Sequence, residues 1–352
     1  MMEQLIRILK NGGLSDEQIF ARLNKFKQNK DHLATITSQE PPPVEQRPKK
    51  NFGFVILKAC NMDCEFCIWD CAPRDNSQIV TPEFFEECII KLKKEGYTSC
   101  GLIGGEVGLH PKFRELVEIL VKHEINFTMV TNAKKWEMYK FLIENEEINK
   151  YFGSISISLD GKKETHDRYR GKGSYNKVIE ALDYFHDKKD TSIKMVLRND
   201  NFKDLDHVCS IAKKYSCEIG GFDVKLQTDR GIHLGQEGLK ELYKINPTER
   251  YDKLTLNTLF NVSSEPCWTC SNFFSREILI YPDGEIGFCC AGLLDDTPIA
   301  NIKTDSVQEI LNKKLEVGMY LLNTITPIIY KELPLTLRDS CALCRQAMGC
   351  IK

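Results

Sequence analysis

The chain predicts an α/β fold, and three observations carry that reading. From residue 52 to about 227, apolar runs of strand length alternate with amphipathic runs of helix length. That pattern belongs to strands joined by crossover helices in a parallel sheet. A loop dense in cysteine follows the first apolar run, at the edge where such sheets place their chemistry. Past residue 263 the alternation stops and cysteines cluster again, which marks a smaller α+β module. A length of 352 residues accommodates about two domains.

In chain order, Leu5, Ile6, Ile8 and Leu9 give a short helix its apolar face, and Gly12-Gly13 ends it. Ser15 and Gln18 form a capping box for a second helix with Ile19, Leu23 and Phe26 on one side. Pro41 to Pro43, Pro48, Lys49 and Lys50 read as an extended linker. Residues 1–50 are therefore expected to be a helical extension with a proline-rich linker. Strands are expected at 52–57, 98–103, 125–130, 153–159, 191–197 and 219–226, and helices at about 82–95, 111–123, 134–145, 174–187 and 203–214. Thr81-Pro82 supplies an N-cap with proline at the first helical position, His110-Pro111 a similar start, and Ser174 a cap. Six strands at this spacing fit an incomplete (β/α) barrel, and a doubly wound open sheet has the same periodicity. The core is thus placed at 51–227, a polar bridging segment at 228–262 and the cysteine-rich module at 263–352. In that module Glu277 to Tyr281, the turn Pro282-Asp283-Gly284 and Glu285 to Phe288 read as a hairpin, followed by a helix around 305–315.

A formal net charge of −2 with both signs interspersed advertises no surface for nucleic acid. No apolar run approaches the ~20 residues needed to span a bilayer, and Arg7 and Lys10 interrupt the N-terminal stretch where a signal peptide would be apolar. Fifteen cysteines in that setting read as metal ligands and free thiols in a reducing compartment, the cytoplasm.

Cys60, Cys64 and Cys67 stand at C-x3-C-x2-C spacing. Thiolates suit iron–sulfur clusters, zinc or copper(I), and a protein-bound [4Fe–4S] cluster normally takes four of them. Three from one loop leave an iron open, whereas Cys71, four residues on, would close a four-thiol site. Gly104-Gly105-Glu106 ends the second strand; paired glycines permit close backbone approach and the carboxylate can pair an ammonium. On the fourth strand Ser156, Ser158 and Asp160 alternate onto one face, and Arg170 follows within His166-Asp167-Arg168-Tyr169-Arg170. Short polar groups and an arginine suit ribose and carboxylate recognition. By spacing alone, Cys267 and Cys270 with Cys341 and Cys344 could be paired zinc knuckles.

Cys60, Cys64 and Cys67, with the aromatic Phe66 just before the last, resemble the signature of the radical S-adenosylmethionine (radical SAM) family. The Gly-Gly-Glu about 40 residues later is similar to the family motif that holds the amino group of S-adenosylmethionine, although Val107 stands where proline is usual. The resemblance implies a partial (β/α)6 barrel and a [4Fe–4S] cluster on those three cysteines. An electron from the cluster would cleave S-adenosylmethionine to a 5′-deoxyadenosyl radical, which abstracts hydrogen from the substrate. It further implies that Phe66, Gly104, Gly105, Glu106, Ser158, Asp160 and Arg170 line the cofactor pocket, with Thr131, Asn132 and Asn199 at family-like positions. Cys270, Cys289, Cys341-x2-Cys344 and Cys350 resemble the SPASM extension of these enzymes. The chain has fewer cysteines there than a full version, so the shortened, single-cluster form called twitch is the nearer match. Cys270, Cys289, Cys341 and Cys344 are its expected ligands, with Cys267, Cys290 and Cys350 as substitutes.

Enzymes of this kind often crosslink, epimerise or oxidise ribosomally made peptides, which is the expected substrate class; an aminocyclitol-type small molecule is the alternative. A flavodoxin or ferredoxin would supply electrons. Cys71 and Cys100 are candidate hydrogen donors to a substrate radical. A non-enzymatic zinc or iron–sulfur interaction protein is the competing class, predicting tight zinc and no S-adenosylmethionine binding.

Overall fold

The computed structural model describes residues 51–67, 78–198, 200–224, 254–255, 275–288 and 298–320. It comprises two compact units, one drawn from Asn51–Asn257 with Ile280–Asp283, the other from Thr258–Leu279 and Gly284–Lys352. In the first, β1 (Asn51–Leu57), β2 (Ser99–Gly104), β3 (Asn126–Thr131), β4 (Phe152–Ser158), β5 (Asp190–Leu197) and β6 (Glu218–Val224) lie side by side in chain order. Every neighbouring pair is parallel, and the short β7 (Leu254–Thr255) extends the sheet beside β6. The sheet is open, as a partial (β/α)6 barrel requires.

The sequence explains why. A parallel sheet is covered on both faces, so its strands read as continuous apolar runs, and in β1 every residue from Phe52 to Leu57 is buried. Helices fill the crossovers: α1 (Pro82–Lys94) and α2 (Phe113–Lys122) after β1 and β2. α3 (Phe141–Glu144) and α4 (Glu146–Tyr151) follow β3. α5 (Lys163–Arg170), α6 (Ser174–Phe185) and α7 (Leu205–Lys214) complete the set. Helix α1 starts as expected, with Thr81 Oγ1 accepting the Phe84 N–H at 3.3 Å and Pro82 at the first helical position. It buries Phe85, Cys88, Ile89 and Leu92, and Phe85 packs on Phe54 of β1 with ring centroids 4.8 Å apart. Each such side chain contributes roughly 1.5–3 kcal/mol of burial.

Four local expectations need correction. The helix read at 134–145 is a 3-10 turn at Trp136–Tyr139 followed by the separate α3 and α4. Asn145 breaks it: its backbone is extended and its Oδ1 accepts the Ile148 N–H at 3.1 Å, starting α4 afresh. The segment after β4, where no helix was expected, contains α5. Ser174 lies inside α6, and the cap acceptor is Asp167, whose carboxylate takes the N–H groups of Gly173 (3.0 Å) and Tyr175 (2.8 Å). The start at His110-Pro111 falls later, at Phe113, with His110 Nδ1 accepting the Lys112 N–H at 3.0 Å.

Further along the chain come β8 (Ile278–Ile280), β9 (Glu285–Gly287) and β10 (Ala300–Asn301), adjacent in the order β10-β9-β8, which contains the expected hairpin. Helix α8 (Val307–Tyr320) begins with a full capping box: the Glu309 N–H donates to Ser306 Oγ (3.2 Å) and the Ser306 N–H to Glu309 Oε2 (2.7 Å). Lys314 of α8 is buried, its Nζ donating to Ser275 Oγ at 3.1 Å and to the Glu277 carbonyl. Among the described residues no helix is long and apolar enough to cross a membrane.

Candidate active site

Because β1 to β5 run parallel, Leu57, Gly104, Thr131, Ser158 and Leu197 all end at one edge of the sheet. The cysteine loop leaves β1 at that edge. A register shift between Val55 and Leu57 brings Leu57 opposite Gly104, and the Gly105 and Glu106 N–H groups donate to the carbonyls of Leu57 and Ala59, both at 3.0 Å. The glycines make this lacing possible. Gly104 has φ +144°, and a Cβ on Gly105 would stand 1.9 Å from the Ala59 carbonyl oxygen. Their close approach is to the backbone that launches the cysteine loop.

Within the loop the Cys67 N–H closes a turn on the Cys64 carbonyl at 2.9 Å. Met62, Cys64 and Phe66 are buried and pack with Cys60, Cys67, Tyr169 and Val196. Burial pushes the Cys60 thiol up to about 11, helped by the neighbouring Glu106, Cys64 and Cys67 and opposed by a backbone hydrogen bond at Met62. Burial raises Cys64 as well. One buried and two half-buried thiols close enough to repel one another as thiolates form a donor set that a cationic centre would stabilise. Among the described residues no three Cys, His, Asp or Glu side chains close around a single ion. Three cysteines on one loop fit a cubane cluster, which takes its thiolates on separate irons. Asn132 Nδ2 donates to Cys60 Sγ at 3.7 Å and to Asn61 Oδ1 at 2.7 Å. Lys134 Nζ holds the Asn61 carbonyl at 3.0 Å.

Glu106 sits directly behind this loop, buried. Its carboxylate accepts from Thr131 Oγ1 (2.5 Å), from the Asn132 N–H (2.9 Å) and from the Tyr139 hydroxyl, which itself accepts the Gly108 N–H at 3.0 Å. Burial raises the Glu106 pKa despite these donors and the nearby Arg170. Both carboxylate oxygens are thus engaged by the protein, which differs from a carboxylate waiting for a ligand ammonium.

The third component comes from β4, α5 and the end of β5. Asp160 is fully buried and ion-paired with Arg170 Nε, and its other oxygen accepts the Val196 N–H at 2.8 Å. Burial pushes its carboxyl upward, but Arg170, Arg198 and His166 outweigh burial and the net direction is down. His166 Nδ1 accepts the Asp160 N–H at 3.1 Å, and burial beside Arg170 lowers its pKa to about 4. Asn201 Nδ2 ties the Asp160 and Val196 carbonyls together at 3.0 and 2.8 Å. The carboxylate that Arg170 was expected to find in a ligand is, for its Nε, supplied by Asp160.

Of the residues singled out in the sequence, Cys60, Cys64, Cys67, Phe66, Gly104, Gly105, Glu106, Thr131, Asn132, Ser158, Asp160 and Arg170 lie at or just behind this edge. Cys100 does not. It is fully buried at the second position of β2, opposite Phe52, at the far end of the strand from the cysteine loop. Cys71, Asn199, Cys267, Cys270, Cys289, Cys290, Cys341, Cys344 and Cys350 lie outside the described residues. Sequence reading missed Asn61, Tyr139, Arg198 and Asn201. Only Arg198 and Asn201 carried a signal, as polar residues clustered just past a strand end.

An open parallel sheet with a three-cysteine loop at its C-terminal edge defines a class, and the sequence comparison agrees. Residues 54–211, somewhat under half of the chain, match the Radical SAM superfamily model. Among relatives, the mycofactocin maturase MftC of Mycolicibacterium smegmatis is 26% identical over 196 residues, covering 52% of this chain and 48% of that one. The sporulation killing factor maturation protein SkfB of Bacillus subtilis is 24% identical over 267 residues, covering 72% and 63%. The matches therefore span about half to two thirds of these relatives' lengths. SuiB of Streptococcus suis, solved bound to S-adenosylmethionine, shares the fold with a TM-score of 0.62 at 15% identity over 94% of this chain and 83% of that chain.

Proposed function

We propose that the chain is a radical SAM enzyme that modifies a ribosomally made peptide. The observation that carries the reading is the meeting of Cys60, Cys64 and Cys67 with Glu106 and with Arg170–Asp160 at one sheet edge of a radical SAM domain. Cys60, Cys64 and Cys67 would hold a [4Fe–4S] cluster, which supplies the electron that cleaves S-adenosylmethionine to the hydrogen-abstracting 5′-deoxyadenosyl radical. Glu106, fixed by Thr131, Asn132 and Tyr139, sets the backbone of residues 104–106 that faces the cofactor's amino group. Ser158 and Arg170 hold its carboxylate and ribose, with Arg170 oriented by Asp160. Phe66 covers the loop from one side and keeps water out.

The peptide assignment draws support from the relatives, which are named for maturation of their products. Residues 51–227 would be the catalytic core, 228–262 a bridge and 263–352 an auxiliary domain whose cluster is held by Cys270, Cys289, Cys341 and Cys344. A flavodoxin or ferredoxin in the cytoplasm supplies electrons, and Cys71 is the candidate hydrogen donor. The test is substrate dependence: reduced, cluster-loaded protein is incubated with S-adenosylmethionine and candidate precursor peptides. Peptide mass and 5′-deoxyadenosine are then followed together. A peptide that changes mass while raising 5′-deoxyadenosine supports the proposal. Turnover stimulated only by small alcohols such as aminocyclitols would replace it.

A further inference from the structure

Arg198, directly after β5, is fully buried, yet among the described residues none of its three guanidinium nitrogens has a hydrogen-bond partner. Two aromatic rings cover it, Phe66 of the cysteine loop at 4.2 Å and Tyr169 of α5 at 4.0 Å. Asp200 lies 3.4 Å from its Nε, outside hydrogen-bond geometry. Arg168 binds that same carboxylate. The backbone of Arg198 is locked in place: its N–H donates to Asn201 Oδ1 at 2.7 Å, and its carbonyl accepts the Asn201 N–H at 3.2 Å. A buried guanidinium without donors satisfied is costly unless a strong anion lies within reach of its field. Its neighbours Phe66 and Tyr169 pack with Cys60, Cys64 and Cys67, so the anion it is placed to feel is a thiolate-ligated centre on that loop.

We propose that Arg198 is a positioning residue whose buried guanidinium holds a fixed positive charge beside the Cys60–Cys64–Cys67 loop and raises the reduction potential of the cluster bound there. The proposal rests on the reading of that loop as a cluster site. In the step concerned, one electron passes from a low-potential donor to the bound cluster; no bond forms or breaks, and the centre gains one negative charge. A buried cation with little solvent screening stabilises the more negative state. Arg170, also near Phe66, is ion-paired with Asp160, whereas Arg198 shares the single carboxylate of Asp200 with Arg168.

The test is an anaerobic potentiometric titration of the full, iron-loaded chain followed by electron paramagnetic resonance, with titanium(III) citrate as donor. The spectrum of the C60A/C64A/C67A variant is subtracted to remove signals from other cysteines. Arg198→Met, which keeps the length and loses the charge, shifts the midpoint to more negative potential. Arg198→Lys recovers part of the shift, and Asp200→Asn moves the midpoint the other way. Equal midpoints for wild type and Arg198→Met at equal iron content would overturn the proposal. So would an unchanged midpoint with weakened S-adenosylmethionine binding, which would assign Arg198 to the cofactor's carboxylate. Should Arg198→Met fail to retain iron, an unchanged midpoint in Asp200→Asn decides against it. Wild-type protein that takes up no iron on these cysteines defeats the cluster reading instead.

Discussion

A carboxylate with 2% of its surface exposed survives as an anion only where protein donors replace its water, and Glu106 has Thr131, Asn132 and Tyr139 for that purpose. Tyr139→Phe deletes one donor and leaves the Gly108 N–H without its acceptor. We expect a loss of about 1–3 kcal/mol in urea unfolding, with a further rise in the Glu106 pKa. Unchanged stability would show that the hydroxyl makes no net contribution. Glu106 was legible because glycines precede it at a strand end. Tyr139 was not: it approaches from 33 residues away in sequence on a 3-10 turn that periodicity smoothed into one helix. Arg170 was legible as a cation, but its partner depended on a tertiary arrangement that Val196, His166 and Asn201 fix together.

The elements α5 and α6 form a joint held by Asp167, which caps α6 from the preceding helix. Asp167→Ala releases the Gly173 and Tyr175 N–H groups and should cost about 1 kcal/mol, read from the urea midpoint at neutral pH. The same joint dictates the response to acid. His166 titrates at about 4 in the fold against 6.5 in a free chain, so the folded state binds its proton more weakly. The stabilisation is complete above pH 6.5 and is lost as pH falls toward 4. Burial opposes the ionised form of Asp167, but Lys163 and the capping N–H groups lower its pKa from 3.8 to about 2, which extends the loss below pH 3.8. His166→Gln should flatten the urea midpoint between pH 6.5 and 4, whereas an unaltered slope there would assign the acid response elsewhere. Just past the end of β2, Gly105→Ala forces the Ala59 carbonyl away and breaks the hydrogen bond it accepts from the Glu106 N–H. It should cost at least about 2 kcal/mol and lower iron retention. The helix starting at Thr81-Pro82 was legible in the sequence because its cap is local. The cap of α6 was not, because its acceptor sits in another helix.

For the molecule as a whole, strand–helix alternation gave the parallel order of β1 to β6, since a chain of short crossovers has few other ways to bury continuous apolar strands. That order then places the ends of β1, β2, β3, β4 and β5 together, so motifs scattered over more than a hundred residues converge without any of them specifying the convergence. The cysteine spacing named the chemistry, while the contacts that Asn132, Tyr139, Arg198 and Asn201 make around it are set by the fold. The most direct measurement of the central claim is anaerobic. The chain is reconstituted with iron and sulfide, reduced and given S-adenosylmethionine, and 5′-deoxyadenosine is followed by mass spectrometry beside the C60A/C64A/C67A variant. Formation of 5′-deoxyadenosine in the wild type and its loss in the variant are the predicted result. Wild-type protein that holds iron on these cysteines yet never cleaves S-adenosylmethionine would contradict the account.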